Sequence, residues 1–148
     1  MREQGNKLIN QMKLKLPSYS VNESAARAMV AAFCAQSDPK TGELADIKCA
    51  VSEAVTNCIV HAYRDTVGIV YITVKLYSDR SIQIEIRDRG CGIEDVPLAR
   101  QPLYTTDAAS ERSGMGFTVM ESFCDTVRVS SKCGKGTTVT LCKRLSSR

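Results

Sequence analysis

Apolar and polar residues alternate strictly in five stretches of the chain, and this pattern predicts five β-strands. The two clearest stretches, residues 70–77 and 82–87, flank the polar connection Ser78-Asp79-Arg80. The other three are residues 12–16, ended by Pro17, residues 126–131 and residues 137–143. A sheet buried on both faces would show continuous apolar runs instead of alternation. We therefore expect one face of the sheet to be covered and the other to contact water.

Helical spacing of apolar residues predicts three helices. Ser20 and Glu23 have the spacing of a capping box at the start of the first helix, and Asp38-Pro39 closes it. The second helix is expected over residues 43–63, and the third follows the segment Gly114-Met115-Gly116. The apolar stripe of the first helix consists of Ala25, Ala28, Met29, Ala32 and Phe33. The second is expected to bury Leu44, Ile47, Val51, Ala54, Val55 and Cys58, and the third spaces Phe117, Val119, Met120 and Phe123 as a helix does.

Together these elements predict an α/β fold in a single domain that spans residues 1–148. The expected architecture is a two-layer α/β sandwich, with a mixed, largely antiparallel sheet and its helices on one face. Residues 93–112 have weak periodicity and contain two prolines together with Thr105 and Thr106. A loop this long in a compact domain is usually functional, so we expect a lid there.

Composition and charge exclude several classes of protein. No run approaches the roughly 18 apolar residues of a membrane span, and residues 1–11 are polar, which predicts a cytoplasmic protein without a membrane partner. The net charge is +4, and the cations are scattered along the sequence. Aromatic residues make up 5% of the chain and tryptophan is absent, so we expect no direct nucleic-acid binding.

The seven cysteines include no C-x-x-C pair, and most occupy apolar positions of periodic segments. We interpret them as small buried hydrophobic residues in a reducing compartment. Cys91 differs because it lies between two glycines, where its thiol can be partly exposed and oxidised. It is given no catalytic role.

Glu53, Asn57 and His61 recur at every fourth position, so they project from one side of the second helix. The side-chain oxygen of Asn57 could ligate magnesium, a hard cation that takes oxygen ligands. The carboxylate of Glu53 could accept a proton from an attacking hydroxyl or orient it. A solvated helix face would show the same residues, and for His61 we favour a structural role.

Asp88 ends a predicted strand and is followed by Gly90 and Gly92. A carboxylate at this point can accept a hydrogen bond from the exocyclic amine of adenine, while the glycines let a base and sugar approach the backbone closely. A plain turn after a strand would also use Asp and Gly. The segment is neither a dinucleotide fingerprint nor a Walker loop, because the chain has no G-x-G-x-x-G after a strand and no G-K-S/T.

Gly114 and Gly116 stand at the start of the third helix, directly after Arg112 and Ser113. Free backbone amides there would bind phosphate with the help of the helix dipole, and the two preceding side chains could add a cation and a hydroxyl. Gly136-Thr137-Thr138 opens the last strand, and a threonine hydroxyl there could reach a base through water. Each signal is weak alone, but their order along the chain predicts an ATP site.

The four motifs E-x-x-x-N, D-x-G-x-G, G-x-G and G-T-T resemble those of the ATPase family shared by gyrase, Hsp90, histidine kinases and MutL. The chain is still more similar to the small anti-sigma serine kinases of sporulating bacteria. The matching stretches are residues 22–24, 51–57, 99–103 and 111–117, and the likeness extends over residues 12–143.

The resemblance implies a Bergerat-type ATP-binding fold and two activities. As a kinase, the protein would use ATP and Mg²⁺ to phosphorylate a serine of a STAS-type anti-anti-sigma protein. As a binder, it would hold a sporulation sigma factor inactive, as a homodimer with ATP bound. Glu53 would act as the base, Asn57 would ligate Mg²⁺, and Glu23 and Arg27 would face partners, although composition alone fits a solvated face for these two. The residues implied to contact ATP are Asn57, Asp88, Gly90, Gly92, Thr105, Arg112, Ser113, Gly114, Gly116 and Thr138.

Two other functions remain compatible with these residues. The first is an ATP-gated anti-sigma binding module with little or no kinase activity. The second is a bare ATPase fragment of a larger machine, which the complete set of elements and the short termini disfavour. A sensor histidine kinase is disfavoured because we find no histidine-bearing dimerisation helix in the sequence.

Overall fold

The computed structural model of the chain describes residues 5–101 and 116–146. A short 3-10 helix, Ala35–Ser37, follows the first α-helix, and a π-helix, Cys58–Ala62, continues the second. In chain order the elements are β1 (Leu8–Pro17), α1 (Val21–Cys34), α2 (Thr41–Asn57), β2 (Ile69–Tyr77), β3 (Ser81–Asp88), α3 (Val96–Ala99), α4 (Gly116–Phe123), β4 (Thr126–Lys132) and β5 (Gly136–Arg144).

Five strands form one sheet in the order β1-β2-β3-β5-β4. The four strand pairings that the described residues form are all antiparallel. The predicted antiparallel sheet is therefore confirmed, but its expected parallel component is wrong for these strands. The physical reason is the β4–β5 hairpin. Strand β4 runs parallel to β3, but β5 lies between them and pairs with both, so β3 and β4 do not pair with each other.

The sheet is covered on one face, as its alternation predicts. The apolar residues of β2, β3 and β5 point toward the helices and are almost fully buried, while Tyr71, Thr73 and Lys75 on the uncovered face stay half-exposed. Helix α2 is central to the helical layer, because it packs against both α1 and α4. The buried sheet residues are Val70, Ile72, Val74, Leu76, Ile82, Ile84, Ile86, Val139 and Leu141.

Helix α2 buries the face that its sequence predicts. Ile47, Val51, Ala54, Val55 and Cys58 are buried, while Leu44 is partly buried against the same core. The α-helix ends at Asn57, earlier than expected, and the wider π-helix carries the chain on to Tyr63.

The apolar stripe predicted for α1 is wrong. The buried residues are Ala26, Val30, Ala31 and Cys34, whereas Ala28, Met29 and Ala32 are exposed. Apolar residues surround most of this helix, so spacing alone does not identify the face that meets α2. The outer face of α1 therefore presents apolar side chains to solvent.

The predicted capping box at the start of α1 is also wrong. Ser20 makes no side-chain cap hydrogen bond. Instead, Glu23 accepts a hydrogen bond from Ser52 Oγ of α2 and lies 3.4 Å from Arg27 Nη1. Glu23 therefore bonds to Ser52 on the neighbouring helix instead of to the local partner at Ser20.

The prediction that most cysteines are buried is wrong. Only Cys34 and Cys58 are buried, and Cys49, Cys91 and Cys133 are exposed. Cys49 lies on the outer side of α2 and Cys133 in the β4–β5 turn. The expected exposure of Cys91 is confirmed.

The segment expected to be a lid contains the short helix α3, which the side chain of Asp95 caps by accepting a hydrogen bond from Leu98 N. The remainder, from residue 102, lies outside the described residues. No helix within residues 5–101 or 116–146 has the length and apolar character needed to cross a membrane.

Candidate functional site

Glu53 and Asn57 meet the start of α4. They lie one turn apart on α2 and are half-buried. A methyl group at Gly116, the first residue of α4, would lie 3.3 Å from Asn57 Oδ1 and 3.4 Å from Glu53 Oε1. The absence of a side chain at Gly116 thus leaves a narrow space between both polar groups and a helix start, where backbone amides lack helical partners. We call these three residues the helix end of the site.

Asp88 forms a second polar centre, at the end of β3. Its carboxylate is 5% exposed, and its Oδ1 accepts hydrogen bonds from Gly90 N at 2.9 Å and Thr137 N at 3.2 Å. A carboxylate offers about four acceptor positions, so it retains capacity for a further donor. Asp88, Gly90 and Thr137 make up the sheet end of the site.

Burial perturbs the acidity of this centre. It raises the pKa of Asp88 above its ordinary value, and hydrogen bonds from Gly90 N, the Cys58 thiol and Thr137 N oppose that change. The pKa of the Cys58 thiol is raised well above its usual range by burial and by the charge of Asp88. Cys58 is therefore a neutral donor to the carboxylate.

The π-helix shapes the loop that follows Asp88. Cys91 N donates to Ala62 O at 3.2 Å, and a side chain at Gly90 would collide with that same carbonyl. The Tyr63 hydroxyl donates to Ile69 O at 2.8 Å and accepts from Arg89 N at 2.6 Å. The glycine is thus required for close approach of two backbone segments.

Gly92 has a different requirement. Its φ is +80°, in the left-handed region, and a side chain there would collide with Lys132 O in the β4–β5 hairpin. Ile93 N next donates to Ser131 Oγ at 2.7 Å. The D-x-G-x-G loop is therefore packed between the π-helix and the hairpin, which the sequence did not indicate.

The threonine that lies beside Asp88 is Thr137, not Thr138, the predicted ATP contact. Thr137 is buried on the covered face beside Asp88, with its hydroxyl 2.7 Å from Ser131 Oγ. Thr138 pairs with Arg87 on the uncovered face, at an open cavity of about 600 Å³. Neighbouring strand residues point to opposite faces, so a shift of one position reverses the assignment. That cavity is lined by several cations and also by Asp88 and Thr137 of the sheet end, but not by Glu53 or Asn57, so it does not reach the helix end of the site.

Several predicted residues take other positions or are not described. His61 lies half-buried in the π-helix. Glu23 and Arg27 lie on α1, where Glu23 accepts a hydrogen bond from Ser52, the residue before Glu53. Four predicted ATP contacts, Thr105, Arg112, Ser113 and Gly114, lie outside the described residues.

Tyr63 and Ser131 were not predicted as site residues, and Cys58 was predicted only as a core residue. Thr137 was predicted only as part of the Gly136-Thr137-Thr138 segment. The Cys58 thiol donates a hydrogen bond to Asp88, but in the sequence Cys58 stands among apolar residues and is indistinguishable from a core position. Tyr63 could have been identified as an aromatic residue with a polar tip at a helix end. No local signal marks Ser131.

The donor set suits a nucleotide with a bound Mg²⁺. Asn57 offers a hard oxygen ligand next to the space at Gly116, and Asp88 offers a buried acceptor for an amine. Groups of three or more His, Cys, Asp or Glu side chains able to hold a metal are absent from the described ranges. A magnesium ion here would therefore need phosphate oxygens as additional ligands.

Residues 16–143 match the model of the histidine kinase-like ATPase domain family. A relative named anti-sigma F factor, from Caldanaerobacter subterraneus subsp. tengcongensis, is 57% identical over 134 residues, which cover 90% of this chain and 93% of the relative.

The chain belongs to the anti-sigma F factor family of histidine kinase-like ATPases.

Two further anti-sigma F factors agree with this assignment. The Priestia megaterium protein is 52% identical over 93% of this chain and 95% of its own length. The Clostridium acetobutylicum protein is 49% identical over 94% of this chain and 96% of its own length. The assignment therefore covers nearly the whole chain.

Solved structures support the fold. A Mycobacterium tuberculosis protein with RsbU and RsbW domains superimposes with a TM-score of 0.67 at 22% identity, over 93% of this chain and 32% of that protein. A histidine kinase domain from Erythrobacter litoralis gives 0.56 at 18% identity, over 83% of this chain and 61% of that domain. The predicted α/β fold and family are confirmed.

Proposed function

We propose that this protein is an ATP-dependent serine kinase that also holds a sporulation sigma factor inactive. The observation that carries the proposal is the contact of Gly116 with Glu53 and Asn57. A carboxylate and an amide side chain thus lie beside the start of a helix, where phosphate binds well, and this supports the proposed roles of a proton acceptor and a metal ligand. The membership in the anti-sigma F factor family supports the same function.

In the proposed kinase, the two ends of the site have separate tasks. The sheet end binds adenine, because Asp88 accepts a hydrogen bond from the exocyclic amine. The helix end orients the terminal phosphate with amides of α4. Glu53 accepts the proton of the attacking serine hydroxyl of a STAS-type anti-anti-sigma protein. Catalysis then depends mainly on positioning and on charge stabilisation.

Asn57 is the residue proposed to hold Mg²⁺, through its side-chain oxygen. When bound, the ion neutralises charge on the transferring phosphate. Asn57 and Glu53 lie on successive turns of one helix, so their separation is fixed by the backbone. The helix end therefore works as one rigid group.

The outer face of α1 is the proposed partner surface. Exposed apolar residues, Ala28, Met29 and Ala32, lie on the same helix as the Glu23–Arg27 ion pair. A surface with an apolar centre and charged neighbours is typical of protein interfaces. We propose that a sigma factor and the anti-anti-sigma protein use it, and that the active unit is a homodimer.

The direct test mixes the purified protein, ATP labelled on its terminal phosphate, Mg²⁺ and a STAS-type protein. We expect label on a serine of the STAS protein, detected by phosphopeptide mapping. Phosphoserine formed equally well in the absence of this protein, or none formed at all, would contradict the kinase assignment.

An ATP-gated binding module is the second candidate, and the exposed apolar face of α1 favours it because binding there needs no catalysis. It predicts sigma factor capture that depends on ATP without any transfer to the STAS protein. Pull-down of the sigma factor with ATP, with ADP and without nucleotide separates the two candidates when it is combined with the labelling assay.

A further inference from the structure

Two exposed thiols lie on segments that contact each other. Cys91 is in the D-x-G-x-G loop and Cys133 is in the β4–β5 turn. Gly134 N donates a 2.7 Å hydrogen bond to Cys91 O, and a methyl group at Gly92 would lie 3.0 Å from the Cys133 Cα. The two cysteines are therefore neighbours in space, although they are far apart in sequence.

The spacing suits a disulfide. With standard backbone lengths, the 2.7 Å hydrogen bond keeps the Cys91 and Cys133 Cα atoms within about 7.5 Å of each other. Disulfides span Cα separations of about 4.4–6.8 Å, so a small movement of an exposed turn is sufficient. Within the described residues, Cys91 Sγ donates to two carbonyl oxygens, each at 3.5 Å, and a thiol is only a weak donor, so these bonds do little to hold it in place.

We propose that Cys91 and Cys133 form an oxidant-driven disulfide that fastens the D-x-G-x-G loop to the β4–β5 hairpin. The oxidant is hydrogen peroxide. Both S–H bonds and the peroxide O–O bond break, one S–S bond forms, and the two thiol hydrogens leave in two molecules of water. The thiols together lose two electrons and the peroxide gains them.

A second pair of neighbouring cysteines shows why this pair is singled out. Asp125 N donates to Cys142 O at 2.8 Å, so Cys124 and Cys142 are also close. Cys124, however, packs against the core, and burial raises its pKa to about 11. Cys142 lies on the opposite, uncovered face, so the two side chains point apart.

The consequence for nucleotide binding rests on the proposed function. A methyl group at Gly92 would collide with Lys132 O, so the loop and the hairpin are already close, and we expect disulfide closure to bend the loop. The bend acts on Gly90, whose amide holds Asp88 Oδ1. We expect ATP affinity to fall by about tenfold in the oxidised protein, the effect of one misplaced buried hydrogen bond, and to recover with dithiothreitol.

Peptide mapping tests the bond without any nucleotide. The full chain is treated with hydrogen peroxide, its remaining thiols are alkylated, and it is digested with trypsin without reductant. Cleavage after Arg89, Arg100, Lys132 and Lys135 places Cys91 and Cys133 in separate peptides with one cysteine each. The proposal expects the two joined, with the loss of two hydrogen atoms.

Controls make the result decisive. Cys133→Ser should abolish the joined peptide and the loss of ATP affinity on oxidation, whereas the matched surface variant Cys49→Ser should change neither. Both cysteines alkylated after oxidation, or joined only to cysteines of other molecules, would overturn the proposal. A joined peptide with unchanged ATP affinity would overturn the effect on the loop. Failure of the reduced protein to bind ATP would instead count against the proposed function.

Discussion

The helix end and the sheet end of the site hold their polar groups in opposite ways. Glu53 and Asn57 are half-buried side chains on one helix, beside a residue with no side chain. Asp88 is buried, and backbone amides from its own loop and from β5 hold its carboxylate. Substitutions at the helix end should therefore alter the chemistry of the site without loss of the fold. Substitutions at the sheet end should affect both nucleotide binding and the stability of the sheet.

The largest expected effect is at the helix end. Glu53→Gln should lower phosphate transfer by about a hundredfold or more, because it removes the proposed proton acceptor, while ATP affinity stays near wild type. Single-turnover transfer and calorimetric ATP titration measure the two quantities. The matched control is Glu85→Gln on the uncovered face, which should leave both unchanged. Transfer at the wild-type rate would remove Glu53 from the base role.

At the sheet end, Asp88→Asn should weaken ATP binding by about tenfold to a hundredfold. The amide keeps the shape of the carboxylate but can present a donor to the adenine amine, which costs about 1–3 kcal/mol. Calorimetric titration with ATP and with GTP checks it. An equal loss for both nucleotides would mean that Asp88 does not read the base.

Gly116→Ala should lower ATP affinity by about fivefold, or about 1 kcal/mol, because the new methyl group occupies the space beside Asn57 and Glu53 that the phosphates are proposed to enter. Thermal unfolding should show no loss of stability, because alanine favours a helix more than glycine does. The matched control is Gly42→Ala near the start of α2, where a methyl group meets nothing within 4 Å. Wild-type ATP affinity in the Gly116→Ala protein would mean that the start of α4 does not bind the phosphates.

The two threonines of β5 compare the faces of the sheet directly. Thr137→Val should weaken ATP binding by about threefold, because the hydroxyl beside Ser131 Oγ is lost, whereas Thr138→Val should have no effect. Equilibrium titrations of both variants measure this. The reverse result would restore the original assignment of Thr138.

The smallest effect is on stability against pH. Because the folded-state pKa of Asp88 is raised above 3.8, the folded protein binds a proton more tightly than the unfolded chain. The stability that Asp88 contributes is fully present below pH 3.8 and is lost as the pH rises through the raised value. Urea unfolding across this range should show a smaller loss in Asp88→Asn than in wild type. Identical pH profiles would mean that burial does not disfavour the charged carboxylate.

The sequence predicts most of the sheet because strand alternation is both local and strict. It fails for α1, where apolar residues surround the helix and only tertiary contact selects Ala26 and Val30 for burial. It fails for Glu23 because the partner, Ser52, is on another helix. The choice between Thr137 and Thr138 depends on where the strand begins after a turn, because an error of one residue moves each side chain to the opposite face of the sheet.

The candidate site also combines features fixed within single elements and features fixed by tertiary contacts. Glu53, Asn57, Asp88 and the glycines are recognisable because their spacing in the sequence is fixed by single elements. The π-helix and Tyr63 are not, since they matter only through contacts with the loop after β3. Sequence motifs therefore locate the polar groups, while the packing that orients them has to be observed.

A crystal structure with Mg²⁺ and a non-hydrolysable ATP analogue tests the central claim most directly. We expect the adenine amine at the Asp88 carboxylate and the phosphates between Asn57 and the start of α4. Nucleotide seated instead on the uncovered face beside Arg87 and Thr138, with the space at Gly116 empty, would contradict the account.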